Sequence, residues 1–365
     1  MKKINNIIQQ HAVIEALIIS IMFTFIISLR SNNKYALIIQ NSALLGALLF
    51  VLLAILSYKV LVAFNLLKEW IVIFPALIFS ISIELGLYFF DKKDSLLNTF
   101  LFMIVLTGII FLILVQCYRY LDKNKNQSHF LFKRKNFWLL WLFIFVMWLP
   151  AFLAMYPGNL SYDGVPQLLQ TIGKQGLSAH HPVLHTLYLT YSIELGKNIF
   201  GSYNIGLAIY SLSQMLLLSS SLAYMVYQLI KKQVNKIFVI CAILFVSINP
   251  LIQIWALTTT KDVPFAALFV FSFTLLFDLV KEPKVFLSSK KKMLKLSIVL
   301  ILLCLLRNQG IYVLMFTSLF LFWVFKGKGN KLRFSVSIIG MLIIVKIILG
   351  PISTIVGVSP GDSRE

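Results

Sequence analysis

The sequence predicts an all-α, polytopic membrane protein with about eleven transmembrane helices and one amphipathic helix in an outer loop. Of its 365 residues, 59% are hydrophobic and only 13% are charged. The mean hydropathy of +0.88 is far above that of soluble domains. Apolar runs of about 18 or more residues recur along the chain, and each is long enough to cross about 30 Å of hydrocarbon.

The apolar runs divide the chain into a four-span N-terminal region (1–118), a cytoplasmic basic linker (119–136), a seven-span core (137–357) and a short outer tail (358–365). The first run follows a short basic N-terminus but lacks the small residues of a signal-peptidase site at its end, so we interpret it as a retained span. The predicted spans cover residues 12–29, 36–57, 70–90, 96–118, 137–154, 203–229, 237–257, 264–280, 296–306, 311–325 and 334–357.

The distribution of Lys and Arg orients these spans. The linker 119–136 is dense in Lys and Arg, and such a loop is typical of the cytoplasmic side. This orientation predicts a multi-pass cell-membrane protein with a cytoplasmic N-terminus and with residues 155–202 outside. The net charge of +20 then reflects cations beside the anionic headgroups of the inner leaflet. Nucleic acid is not a predicted partner, because the cations lie in separate short loops rather than on one face.

The three cysteines do not form a pattern that predicts chemistry. Cys117, Cys241 and Cys304 all lie inside or at the edge of apolar spans. This placement argues against a disulfide framework and against a cysteine-based metal site.

The longest polar segment outside the charged linkers runs from Met155 to His185. It contains Asp163 in a loop of sequence YPGNLSYDGVPQ, which has turn-forming residues throughout. In one interpretation the Asp163 side chain only stabilises an Asx-turn. In the other, a rigid turn just beyond the end of a span presents the carboxylate to a substrate at the membrane surface.

The same segment carries three of the five histidines, His180, His181 and His185. His181 and His185 are one helical turn apart, so they could bind a metal ion together with Asp163. Adjacent histidines in a loop more often form hydrogen bonds or contact a substrate. Both interpretations stay open on the sequence alone.

A helix is predicted over residues 182–202, which are too polar and too few to span a membrane comfortably. Apolar residues recur there at helical spacing, so we expect an amphipathic helix along the outer surface. Its apolar positions include Val183, Leu184, Leu187, Tyr191 and Leu195.

Two further outer segments carry charged residues at the ends of spans. Asp262 could simply cap the helix that opens in TTTKDVPF, but the preceding Lys261 opposes the helix macrodipole unless an anion is bound there. Arg307 ends an apolar run of eleven residues. It is either a snorkelling side chain or a guanidinium that points at a phosphate. Because ionisable groups are costly at membrane depth, we expect these residues, Asp163 and the histidines to build one site.

These stretches together resemble the GT-C superfamily of polytopic glycosyltransferases, which use polyprenyl-phosphate sugar donors. The most similar members are an uncharacterised bacterial branch with motifs like YPGxxSYDGxxQ, HHPVLHT, TTKDxxF and LRNxGxY. The resemblance covers residues 137–357, whose seven predicted spans equal the superfamily's core of seven helices. Four spans precede that core, and the chain ends just past the last span, which suggests a truncated product.

The resemblance implies that Asp163 is the catalytic residue and that Lys261 and Arg307 bind the lipid phosphate. It also implies an extracytoplasmic glycan, lipid or protein as the acceptor, and membrane lipids as partners. The other residues that the resemblance assigns to substrate binding are Tyr162, Gln167, His180, His181 and Asp262. Several relatives carry paired acids where this chain has one Asp, so no cofactor is implied and a divalent metal is left open.

Phosphate is a stable leaving group, so transfer from such a donor needs a base for the acceptor hydroxyl but hardly an acid. One carboxylate, Asp163, suffices for this chemistry, while Lys261 and Arg307 stabilise the charge on the phosphate. The alternative is a transporter or flippase of lipid-linked saccharides, which should show internal repeats and polar groups at mid-bilayer. A membrane acyltransferase with His181 as its base is a third interpretation.

Overall fold

A computed structural model describes residues 2–28, 42–62, 70–91, 96–123, 136–171, 176–307, 309–325 and 327–359. They are helical almost throughout and divide into two compact units, Met1–Lys125 and Asn126–Glu365. The helices of the first unit are α1 (Lys2–Ser28), α2 (Ala43–Val62), α3 (Ile73–Asp91) and α4 (Leu96–Lys123). Those of the second are α5 (Asn136–Ala154), α6 (Gly164–Thr171), α7 (Val183–Phe200), α8 (Tyr203–Lys231), α9 (Lys236–Ile248), α10 (Pro250–Ala256), α11 (Asp262–Lys281), α12 (Pro283–Ser288), α13 (Lys290–Leu306), α14 (Gly310–Val324) and α15 (Lys328–Ile347).

The all-α, multi-pass class predicted from the sequence agrees with this structure. Within the described residues, six helices are long and apolar enough to cross a membrane, or seven if the bent pair α9 and α10 forms one span. Three shorter apolar helices lie at His11–Ile27, Ile73–Phe89 and Gly310–Phe322. Eleven spans are therefore more than length and composition establish. Parts of five predicted segments lie outside the described residues: residue 29 of the first span, 36–41 of the second span, 124–135 of the linker, 172–175 of the outer segment and 360–365 of the tail.

The first unit buries small polar residues together with apolar ones, and it exposes many large apolar residues. Ser20, Ser57 and Ser80 are fully buried, whereas residues such as Phe25 and Leu48 are well exposed. This arrangement is typical of helices packed in lipid, where small residues let backbones approach and apolar side chains face hydrocarbon. Arg119 donates to the carbonyl oxygens at the end of α2, which satisfies groups that a helix terminus leaves without partners.

Helix α8 is the centre of the second unit, and it packs against α5, α7 and α11. Two tryptophans of α5 are fixed by hydrogen bonds from their indole nitrogens. Trp141 donates to Ser219 Oγ at 3.1 Å, and Trp148 donates to the Val246 carbonyl at 3.0 Å. Buried Trp side chains with a satisfied N–H are rigid, so this packing fixes α5, and hence the loop that follows it.

The helix predicted over 182–202 forms as α7, and it packs along α8. A Cβ atom on Gly196 would lie 2.1 Å from the Gly206 nitrogen, so these two glycines allow close contact of the helices. The buried face of α7 is rich in Ser, Thr and His, whereas Tyr191 and Leu195 are exposed. Helices α7 and α8 thus form an antiparallel hairpin that buries polar residues.

The predicted span 237–257 is not one straight helix. It bends by 50° between α9 and α10. Pro250 cannot donate a helical hydrogen bond, and the Asn249 side chain instead accepts from the Leu251 nitrogen at 2.9 Å, which starts a new helix. The bend delivers the segment Leu257–Thr260 to the loop that carries Asp163.

Candidate functional site

The Asp163 loop is paired along its length with the segment that precedes α11. Asn159 N donates to the Leu257 carbonyl and Thr259 N donates to the Asn159 carbonyl, both at 2.9 Å. Ser161 N donates to Thr259 Oγ1 at 2.8 Å, and Ser161 Oγ donates to the Thr259 carbonyl. The two loops therefore form one hydrogen-bonded unit, although they are far apart in the sequence.

Glycine is required at position 158 of this loop. Its φ of +125° lies in a region that favours glycine. A Cβ atom there would also lie 2.0 Å from Ser211 Oγ and 3.2 Å from the Leu257 carbonyl. The YPG turn thus lets the loop backbone touch both α8 and the segment before α11.

The carboxylate of Asp163 binds Lys261 rather than its own turn. Lys261 Nζ is 3.1 Å from Asp163 Oδ2. Ser161 makes the turn instead, because Gly164 N donates to the Ser161 carbonyl at 3.0 Å and to its hydroxyl oxygen at 3.2 Å. Within the described part of the chain, the Asx-turn interpretation of Asp163 therefore does not hold. Its side chain is 36% exposed, so it remains accessible to a substrate.

A second ion pair lies directly beside the first. Arg307 Nη1 donates to Asp262 Oδ1 at 2.6 Å, and Arg307 Nε donates to Gln309 Oε1 at 3.0 Å. The guanidinium also lies 5.7 Å from the centroid of the Phe265 ring. Arg307 thus holds a specific partner instead of only snorkelling. Thr260 takes part of the capping role, since its Oγ1 accepts from Asp262 N at 3.3 Å.

The two ion pairs leave donors for an anion. A guanidinium has five N–H groups and an ammonium has three. Among contacts of the described residues, Arg307 uses two of its groups and Lys261 uses one. All four charged side chains are partly exposed, so the pairs contribute little to stability and still face incoming molecules. The sequence did not predict that each cation would be paired with a carboxylate.

His185 lies beneath these pairs in a buried polar chain. Its Nδ1 is 2.7 Å from the Gln167 side-chain amide, and its Nε2 is 2.8 Å from the Tyr210 hydroxyl. Burial lowers the pKa of His185 from 6.5 to about 4, and electrostatic interactions with Lys261 and His181 act in the same direction. Gln167, which was predicted to bind substrate, is fully buried, and its side-chain amide contacts His185.

The metal interpretation of the histidines finds no support in the donor set. Both ring nitrogens of His185 already have partners. Across the described residues, no group of three or more His, Cys, Asp or Glu side chains could hold a metal ion. We therefore derive no step through a metal.

The segment around His180 and His181 is held by backbone hydrogen bonds with Ser359. Ser359 N donates to the Leu177 carbonyl at 2.8 Å, and Ala179 N donates to the Ser359 carbonyl at 2.9 Å. His180 is exposed, whereas His181 is only 5% exposed. Tyr162 is also exposed, at 92%. No local signal in the sequence indicated the pairing with Ser359.

An apolar groove of about 470 Å³ lies between α11, α13 and α14, the helices whose ends carry Asp262 and Arg307. Along α11 the groove extends from Phe269 to Val280. With a helical rise of about 1.5 Å per residue, these two residues lie about 10 and about 27 Å along the helix axis from Asp262. This stretch is about 17 Å long, or roughly half the thickness of a bilayer's hydrocarbon core. The groove is lined by Phe269, Ser272, Phe273, Leu276, Phe277, Val280, Leu300, Val313, Phe316, Thr317, Phe320 and Leu321.

Comparison with known proteins yields one family. The model of a family described as "Family of unknown function (DUF6020)" matches residues 173–365, which is more than half of the chain. The matched region includes the histidines, Lys261, Asp262 and Arg307, while the Asp163 loop precedes it. No curated protein and no solved structure matches the chain.

Proposed function

We propose that this chain, which belongs to the DUF6020 family, is an integral-membrane glycosyltransferase of the GT-C type. It moves a sugar from a polyprenyl-phosphate donor to an extracytoplasmic glycan, lipid or protein. The observation that carries this proposal is the juxtaposition of charge and groove. Two cations with unused N–H donors and two carboxylates lie about 10 Å along α11 from the near end of an apolar groove.

The groove suits the lipid part of such a donor. Its lining consists almost entirely of Phe, Leu and Val, with Ser272 and Thr317 as polar members. Within the bilayer a polyprenyl chain would fill this surface through van der Waals contacts, because lipid tails are as apolar as the groove and no hydrophobic driving force acts there. With the chain in the groove, its phosphate reaches the level of Arg307, where unused guanidinium N–H groups can bind it.

In the proposed reaction the acceptor hydroxyl gives its proton to Asp163. The hydroxyl oxygen attacks the anomeric carbon of the donor, and the bond from that carbon to the phosphate oxygen breaks. Polyprenyl phosphate leaves with the bonding electron pair. Lys261 holds one carboxylate oxygen of Asp163, so the other can accept the proton. Arg307 and Lys261 stabilise the negative charge that grows on the phosphate.

The groove part of the proposal is tested with Thr317→Trp, which puts an indole into the groove on α14. We expect the rate of transfer from a long-chain polyprenyl donor to fall at least about 10-fold, mainly through a higher KM, because the indole occupies the space of the polyprenyl group. A short-chain, water-soluble donor should be used at the parent's rate. Initial rates with both donors, measured on purified protein, check this.

Leu319→Trp is the matched control, because Leu319 is 60% exposed on the same helix and does not line the groove. It should leave both rates within about 2-fold of the parent's. If Thr317→Trp uses the long-chain donor as well as Leu319→Trp does, the groove does not bind the donor.

The proposal also sets the topology. All eleven predicted spans cross the membrane, with the shorter apolar helices and α13 completing the set, and with the site outside. Asn198 in α7 and Lys284 in α12 are both exposed. Single cysteines at these positions, in a background without the native cysteines, should react with an impermeant thiol reagent from opposite sides of the membrane. Labelling of both from one side would overturn this topology.

A further inference from the structure

A chain of buried side chains connects the two loops of the site from below. Gln167, His185, Tyr210 and Gln214 are all fully buried, and each is hydrogen-bonded to the next. None of them has a role in the proposed reaction. Buried polar networks of this kind are costly unless every member is satisfied, and they hold a unique geometry when they are.

We propose that His185, Tyr210 and Gln214 are positioning residues that hold the Asp163 carboxylate and the Lys261 ammonium in register. The kinetic part of this inference rests on the proposed transferase function. The structural part does not.

The contacts of Gln214 determine which group donates and which accepts in each hydrogen bond of this side-chain network. Its Nε2 donates to the carbonyl oxygens of Ala256 at 3.0 Å and Thr258 at 2.9 Å, so its Oε1 must be the acceptor. The Tyr210 hydroxyl, 2.7 Å away, therefore donates to that oxygen. A hydroxyl has a single proton, so the Tyr210 oxygen accepts from His185.

This order defines the tautomer of His185. The imidazole donates from Nε2 to Tyr210, and in a neutral ring the opposite nitrogen is then an acceptor. Gln167 must turn its amide N–H towards Nδ1, a choice of amide orientation that is assigned from the network. The lowered pKa of about 4, due mainly to burial, agrees with a neutral ring at physiological pH.

The two ends of the chain are attached on opposite sides of the Asp163–Lys261 pair. Gln167 lies one turn into α6, whose first residue follows Asp163 directly. At the other end, the carbonyls of Ala256 and Thr258 belong to the segment that leads into Lys261. Lys261 and Asp163 both act electrostatically on His185, and the Thr260 backbone forms a hydrogen bond with its ring, so the ring lies close to the pair. Removing a hydrogen-bonding group from the middle of this network, such as the Tyr210 hydroxyl, should therefore loosen both loops together.

The test is Tyr210→Phe, with Tyr188→Phe as the matched control. Both tyrosines lie in the contact between α7 and α8, and both lose one hydroxyl. The Tyr188 hydroxyl bonds Ser213 Oγ at 2.5 Å and is not part of the chain. Amide hydrogen exchange in residues 159–164 and 257–262 should become at least about 10-fold faster in Tyr210→Phe and stay unchanged in Tyr188→Phe.

Kinetics supplies the second readout. In Tyr210→Phe the kcat of sugar transfer should fall at least about 10-fold, while the donor KM stays within about 2-fold, because the groove is intact. Gln214→Met is a second variant that interrupts the same hydrogen bonds, and it should show the same pattern. It tests the proposal if Tyr210→Phe folds poorly. The double variant should be no worse than either single one, since both break the same chain.

The outcomes separate the two proposals. Faster exchange in Tyr210→Phe and Gln214→Met but not in Tyr188→Phe, in a parent protein that transfers no sugar, would support the positioning role and overturn the transferase function. Unchanged exchange at both loops, with normal kcat in an active parent, would overturn the positioning role. Equal effects of Tyr210→Phe and Tyr188→Phe would also overturn the positioning role, because the loss of packing between α7 and α8 would then explain both.

Discussion

Replacing Asp163 by Asn is expected to lower sugar transfer by about 10²- to 10⁴-fold, the usual loss when a general base is removed. Asn has the same shape and can still accept a hydrogen bond from Lys261, which is 3.1 Å from the carboxylate. It cannot take the proton of the acceptor hydroxyl. Initial rates of transfer from polyprenyl-phosphate sugars, on purified and folded variants, measure the effect.

Asp278→Asn is the matched control for this substitution. Asp278 also forms an ion pair with a lysine, since Lys232 Nζ is 2.7 Å from its Oδ1, but it lies near the other end of α11. Asp278→Asn should transfer sugar at close to the parent's rate. If Asp163→Asn does the same, Asp163 is not the base and the mechanism above is wrong.

Replacing Arg307 by Ala is expected to lower kcat/KM by about 10²-fold, or about 2.7 kcal/mol of transition-state stabilisation. The guanidinium that binds Asp262 at 2.6 Å is lost, and so are the unused N–H donors assigned to the phosphate. Arg307→Lys should recover only part of the rate, because an ammonium keeps the charge but not the fork of donors. Steady-state rates over a range of donor concentrations give these values.

Arg333→Ala provides the comparison for Arg307→Ala. Arg333 is an exposed arginine whose Nη1 contacts Ser288 Oγ at 3.4 Å, and it lies outside the site. It should leave kcat/KM nearly unchanged. Full activity in Arg307→Ala would reduce the role of this residue to its contacts with Asp262 and Phe265.

The helices were largely predictable because their signals are local. An apolar run long enough to cross hydrocarbon predicts a helix wherever it stands, and the runs at 137–154 and 264–280 correspond closely to Asn136–Ala154 and Asp262–Lys281. The bend at Asn249–Pro250 was missed although its residues are visible in the sequence. A Pro after an Asn can begin a new helix. The hydropathy of the run is the same for one straight span and for two helices joined at a bend, so it did not distinguish them.

By itself, the sequence determined the all-α membrane class, the positions of most helices and the residue types at their polar ends. The partners of these residues were decided only by the tertiary structure. Asp163 and Lys261 are 98 positions apart, and Asp262 and Arg307 are 45 apart, so no periodicity relates them. The same holds for the groove and for the chain from Gln167 to Gln214, because each is made by helices that meet only when the bundle packs. Local patterns reflect the free energy of placing one segment in a membrane, whereas a site depends on which segments become neighbours.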